Sequence, residues 1–277
     1  MSLIRFQKEK NMIRALRTSA TGMKAQEIRV DVIANNLANV NTSGFKKTQA
    51  QFQDLLYQTL RPAGVAEFEG QIVPTELQVG HGVRLSSTQK VFTTGEFHRT
   101  QNDLDVAIDG DGFFQILQPD GTMAYTRDGN FEISQDGILV TTDGLSLQPQ
   151  ITISQNAMKV SIAADGNVDV LLPAQVQPQN VGRIELARFI NPAGLRNIGN
   201  NLFLETVASN TPILGNPAEN EFGRLEQGYL ELSNVSVVDE LVDLITAQRV
   251  YELNSVSYTH LRAHETSLHL VCRLLLE

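Results

Sequence analysis

The sequence predicts an α+β protein: long N- and C-terminal helices pairing in a coiled-coil-like layer, with an antiparallel β-rich domain inserted between them. Three observations carry this. Positions 13, 16, 20, 23, 27, 30, 34 and 37 hold Ile, Leu, Ala, Met, Glu, Val, Ala and Leu, seven of the eight apolar at alternating spacings of three and four. A second amphipathic stretch follows Ser233 near the other end. Between them, Asp-Gly recurs at Asp109, Asp111, Asp120, Asp128, Asp136, Asp143 and Asp165. Two seamed ends around a turn-rich middle bury both seams most simply if the ends come together.

The N-terminal pattern gives a helix with a narrow apolar seam, suited to a partner helix. Leu16, Met23, Val30, Ile33 and Leu37 are its candidate packing residues, and Glu27 is a weak point or a polar contact. An ordinary amphipathic helix covering its own core is the alternative. The helix stops in A-N-N-L-A-N-V-N-T-S-G-F-K-K, Ala34 to Lys47, where Asn35, Asn36, Asn39 and Asn41 fall within seven residues. Asn is poor inside a helix but good at its end, because its amide bonds nearby backbone. With Gly44 and Phe45 this is a turn built for packing and hydrogen bonding. Lys46, Lys47 and Arg61 are too few against the chain's acidity to hold an anionic surface, and read as exposed charge.

From Gln49 to Thr94 lies a long connector, which a compact monomer seldom needs. Phe52, Leu55, Leu56 and Leu60 extend a helix to Arg61-Pro62. Pro62, Gly64, Gly70, Pro74, Gly80 and Gly82 make the remainder extended or irregular. In the middle region, Asp-Gly tolerates the positive φ of tight hairpins. The runs Phe113–Leu117, Met123–Thr126, Phe131–Ile133, Ile138–Thr141, Ile151–Ile153, Val168–Leu172 and Ile184–Phe189 then read as strands of a meander or small barrel. Asn191-Pro, Asn216-Pro and Asn200-Asn mark loops. At the far end Ser233 or Asn234 caps the second helix, with Asp239 and Glu240 in its early turns, where the helix dipole favours acids. Val237, Leu241, Leu244, Gln248 and Tyr251 form one stripe; Val235, Val238, Val242 and Ile245 form its neighbour. Val238, Leu241, Val242 and Ile245 are the packing candidates, on a face too wide for one partner helix.

Chemistry is searched for and not found. Asp103, Asp105, Asp109 and Asp111 fail the EF-hand template, which needs a ligand at position five where Ala107 or Phe113 stands. His81 and His98 have no carboxylate or nucleophile motif around them. His260, His264, His269 and Cys272 do not match zinc spacing. Gly80-His81-Gly82 lacks the Lys and Ser/Thr of a phosphate loop. A carbohydrate-binding or hydrolytic domain would want clustered aromatics, yet Trp is absent and aromatics are 6%. The expectation is no catalytic, metal or cofactor site, and no enzyme. A net charge of −9 disfavours nucleic acid. One cysteine forbids an intrachain disulfide, no apolar run approaches the ~20 residues of a membrane span, and Met1–Asn11 has no signal-peptide core. Taken alone, these features read as cytoplasmic and soluble.

Four segments carry a resemblance that changes this. The Ala34–Lys47 motif resembles the N-terminal signature of the bacterial flagellar rod and hook proteins. The resemblance is narrowed within that family by L-Q-V-G-H-G-V-R from Leu77, D-G-F-F-Q-I-L-Q-P-D-G-T-M-A-Y-T-R-D-G-N-F from Asp111, and E-Q-G-Y-L-E-L-S-N-V-S-V-V-D-E-L from Glu226. The resemblance runs from about Met12 to Ser255, with these motifs in the family's order. The resemblance implies a structural subunit of the distal rod, self-assembling into a helical tube that transmits torque across the periplasm. It implies an arm in the connector that touches neighbouring subunits. It implies partners: further copies of the chain, proximal rod proteins, the hook protein and ring proteins of the basal body. Finally it implies export by the flagellar apparatus without a cleaved signal. A proximal rod or hook subunit is the alternative within the family, hook proteins usually carrying larger insertions.

The segments expected are then residues 12–45 and 231–255 as helices of an inner helical domain, 46–95 as connector or arm, and 96–230 as the β-rich domain. The family pattern begins at Met12, so residues 1–11 read as a non-native or extra extension. After Ser255 the chain leaves the pattern and resembles translated sequencing-adapter DNA, so residues 256–277 read as a non-native tail.

Overall fold

The computed structural model describes residues 2–63, 75–154, 156–173 and 177–274, with side chains between Met12 and Leu261. The chain divides into two compact units: Met1–Asn35, Thr48–Gln89 and Val237–Glu277 form one, and Asn36–Lys47 with Lys90–Ser236 the other.

The first unit holds the two long helices, α1 over Ser2–Ala38 and α2 over Val237–Leu274. Arg29 donates to Asp243 at 2.9 Å, and Gly22 lies against the side chain of Asn254. The contacts run in opposite chain order, so the helices are antiparallel there. On α1 the covered face includes Ala25 and Ile33, 5% and 4% exposed. On α2 it runs through Glu240, Leu244, Ala247, Asn254, Tyr258 and Leu261, which recur at helical spacing. This is a different face from the apolar stripe of Val238, Leu241, Val242 and Ile245, which stays exposed. Glu27 is exposed and pairs with Lys24 at 3.0 Å. The α2 helix begins later than expected, at Val237, because Asn234 spends its side chain on the second unit instead of on a cap. Its side chains from residue 262 onward, and those of residues 1–11, lie outside the described residues, and with them the expectations for both end segments.

The connector corrects one expectation. Thr48–Asp54 and Tyr57–Arg61 are strands, not a helical extension. The first pairs with Val83–Lys90 and the second, antiparallel, with Leu77–Gly80. The sequence T-Q-A-Q-F-Q-D alternates in burial with the two-residue period of a strand. Spacing of Leu55, Leu56 and Leu60 misled because Leu56 and Leu60 are exposed and mark no helix face. Gly64, Gly70 and Pro74 lie outside the described residues.

The second unit is antiparallel β. Its largest sheet runs Arg196–Gly199, Leu202–Leu204, Met123–Thr126, Phe113–Leu117, Ser146–Gln148, Leu139–Thr141, Phe131–Ile133, with Leu186–Arg188 joining Phe113–Phe114 to Ile213–Gly215. Lys159–Ile162, Asn167–Leu171 and Gln179–Arg183 form a second sheet. Two ribbons bring the distant ends of the unit together: Val106–Asp109 with Arg224–Gln227, and Phe97–Arg99 with Tyr229–Glu231. Six of the seven Asp-Gly glycines take positive φ. Ile151–Ile153 is not a strand; Thr152 makes one isolated bridge to Ile138 while both isoleucines fill the core. Apolar content there signalled burial rather than pairing. The core centres on Val106, Ile108, Phe114, Ile116, Phe131, Leu139 and Leu147. A second cluster stacks Phe113, Tyr125, Phe189 and Phe203 with Phe92, edge to face, at centroid distances of 4.8–6.1 Å.

Candidate functional site: the seat of the Asn-rich segment

The Asn-rich motif is where the sequence is least ordinary, and the structure gives it a built seat in the β unit. After α1 ends, the chain turns on local bonds: Asn39 N to Asn36 O, Thr42 N to Asn39 O, and Thr42 Oγ1 to Asn39 Oδ1 at 3.2 Å. Asn36 is 2% exposed, while Asn35 and Asn41 face outward. The asparagines thus end the helix, as their chemistry suggests.

Gly44 then enters a tight place. Its φ is +66°, and a Cβ there would stand 2.6 Å from Asp128 N and 2.8 Å from Arg127 C. Only glycine meets both conditions without strain. Gly44 N donates to Glu231 O at 2.8 Å, and Asn201 Nδ2 donates to Ser43 O. Phe45 is buried, with the Lys90 ammonium 4.6 Å from its ring centroid.

Lys46 was expected to be exposed; it is fully buried. Its ammonium donates to Glu231 Oε1 at 2.5 Å and to Thr93 O at 2.7 Å. Glu231 Oε1 also accepts from Gly95 N, and its other oxygen lies 3.7 Å from Arg127 Nε. Arg127 donates to Gly110 O and sits over Phe113. So two buried cations share one buried carboxylate. Burial pushes the Lys46 ammonium below its ordinary range despite the pull of Glu231, and pushes Arg127 and the partly buried Lys90 the same way. Removing Glu231 would strand both cations without water, which is far costlier than the pair's net contribution.

Lys47 N donates to Asn234 Oδ1, whose amide donates to Val91 O and Thr93. Val91 N returns a bond to Lys47 O. Residues 43 to 47 are thus fastened to residues 90–93, 127–128, 201 and 231–234. Sequence reasoning found Asn36, Asn39, Gly44 and Phe45 but missed Lys46, Lys90, Arg127, Glu231 and Asn234. One signal was available: Glu231 interrupts an otherwise apolar Y-L-E-L strand, where an acid needs a buried partner.

Of the remaining candidates, Ile33 is buried in the first unit, and Leu16, Met23, Val30 and Leu37 are half-buried. The structure does not bring Val238, Leu241, Val242 or Ile245 into either core. Among the described residues no group of three His, Cys, Asp or Glu could hold a metal, and no helix is long and apolar enough to cross a membrane.

The two sides of this seat are the segments that family models match. A model described as flagella basal body rod protein covers residues 16–46, one for the flagellar basal body rod FlgEFG protein C-terminal covers 226–258, and one for the flagellar hook protein FlgE/F/G D1 domain covers 107–170. Full-length relatives decide the matter. The flagellar basal-body rod protein FlgG of Caulobacter vibrioides is 52% identical over 244 residues, 88% of this chain and 93% of that protein. Its counterpart in Borreliella burgdorferi is 50% identical over 246 residues, with the same coverage of each.

This chain belongs to the FlgG family of flagellar basal-body rod proteins.

A FlgG of Bacillus subtilis is 40% identical over 250 residues. The flagellar hook protein FlgE of Helicobacter mustelae aligns over 167 residues and only 37% of its own length. The match to FlgG therefore covers 93% of those relatives' length, whereas the match to the hook protein covers 37% of its own.

Proposed function

We propose that this chain works mechanically, its terminal helices packing with those of other copies to build a helical tube that carries torque. As a FlgG-family member it is a structural subunit of the flagellar distal rod, in the basal body, and not an enzyme. It assembles with other rod and hook components of the flagellum.

The observation that carries the tube reading is the unused face of α2. Val238, Leu241, Val242 and Ile245 are 70%, 41%, 59% and 58% exposed, on the side of the helix away from the face its own chain covers. A helix committed to its own chain on one face and apolar on the other is suited to receive a helix from outside. On α1 the half-buried Leu16, Met23, Val30 and Leu37 supply the corresponding seam, Ile33 being buried in its own unit. Seams of one copy meeting a different surface of the next make a heterologous contact, and a heterologous rotation that does not close gives an open filament. In this reading the helices within residues 12–35 and 237–255 form the inner coiled-coil-like layer, and the β unit of residues 36–47 and 90–236 is the outer domain. Residues 48–89 form an arm that offers exposed Leu56, Tyr57, Leu60 and Leu77 to neighbours. Proximal rod proteins, the hook protein, ring proteins and the export apparatus are its partners, and it works in the periplasm after export without a cleaved signal.

The test is electron microscopy of purified full-length protein at rising concentration, beside a chain lacking Met12–Lys47. Rods from the full-length chain alone support the reading. Rods from both would place assembly elsewhere in the molecule.

A further inference from the structure

We propose that the β unit contains a peptide-binding site whose ligand is the segment Asn36–Lys47, selected by Glu231 through Lys46, and that this site accepts the same segment from a second copy when its own is displaced. The chain division supplies the first ground. Residues 36–47 belong to the β unit, yet the chain on both sides of them, up to Asn35 and from Thr48, belongs to the other unit. Within its own unit the segment is joined to the rest by noncovalent contacts alone, as a bound peptide would be.

The contacts supply the second. Backbone bonds fix the segment's path: Gly44 N to Glu231 O, Asn201 Nδ2 to Ser43 O, and Val91 N to Lys47 O. A surface too close for any Cβ selects glycine at position 44. A fully buried carboxylate selects a cation two residues on. Main-chain bonds for affinity with a side-chain pocket for specificity is the general way proteins read extended peptides. The seat also survives being emptied. Without Lys46, Glu231 still has the Gly95 amide and the Arg127 guanidinium, so its charge is not stranded. Arg127 balances the vacant site and Lys46 the occupied one.

Full-length K46E tests this, with E231K and the charge-swapped K46E/E231K chain beside it. Hydrogen exchange of residues 39–47 in K46E should accelerate by roughly 100-fold or more, the factor expected when a buried ion pair is broken. Exchange of the Phe113–Leu117 strand should stay slow. A fluorescein-labelled peptide of residues 34–49 should then bind K46E saturably and leave E231K unbound, while the same peptide bearing Glu at position 46 should not bind K46E. Protection of the segment should return in the charge-swapped chain, which needs no vacated site and so reads the pairing even if K46E folds poorly. Slow exchange of residues 39–47 in K46E, a released segment with no peptide uptake, or equal uptake by E231K would each overturn the proposal. None of these outcomes depends on rod formation, so failure here is distinct from failure of the tube reading.

Discussion

Lys46, Glu231 and Arg127 show how one buried carboxylate can discipline two cations. Glu231→Gln removes the charge that both cations face and keeps the shape. Loss of a single partner from such a cluster costs about 3–5 kcal/mol. Urea unfolding of the variant should show a loss of that size. Lys46→Met with Glu231→Leu, which removes both ends of the pair, should lose less than Glu231→Gln despite the larger edit, although Arg127 then lacks its partner. A second residue-scale expectation concerns Tyr125. Burial, with Glu205 nearby, raises its phenol to about 12 from the ordinary 10. The folded protein therefore favours the protonated ring. That contribution is complete below pH 10 and is lost between about pH 10 and 12, on the order of 2 kcal/mol. Spectrophotometric titration should find a late phenolate that Tyr125→Phe removes, and the variant's stability should fall less steeply over the same pH range. Exposed Tyr57 also titrates late, through its hydrogen bond to Asp54, but it is solvated and contributes little.

The helices differ in what a substitution on each face should do. Ala247 is fully buried on the covered face of α2, so Ala247→Leu overfills a packed contact and should destabilise the fold by about 1–3 kcal/mol. Ile245 and Val242, on the opposite face, are more than half exposed. Their replacement by Asp should change the stability of the single chain by no more than about 0.5 kcal/mol. Thermal unfolding followed by circular dichroism separates the two cases. The elements also show where sequence patterns inform and where they mislead. Heptad spacing located both helices, and Asp-Gly spacing located the hairpins from Phe113 to Thr141, because local turn and burial rules decide them. The helix proposed through Leu56 and Leu60 failed because those residues are exposed, so their spacing reported no face. Similarly, Asn234 read as a helix cap by its type, but it binds Lys47, 187 residues earlier in the chain. Lys46 read as surface charge for the same reason, its partner Glu231 being 185 residues away. Long-range pairing is what a local pattern does not encode.

For the molecule as a whole, the two ends of the chain are tied twice over. In the helical unit Arg29 meets Asp243, and in the β unit residues 44–47 meet residues 231–234. Both ties join segments far apart in sequence, so neither forms until nearly the whole chain is present. In the reading proposed above, a FlgG-family subunit built this way keeps the apolar stripe of α2 off its own fold and ready for other copies. Electron microscopy of the full-length chain beside V242D/I245D at matched concentration tests this. Rods are expected from the parent and dispersed subunits from the variant, with unchanged thermal unfolding. Rods of equal length from the variant would contradict it.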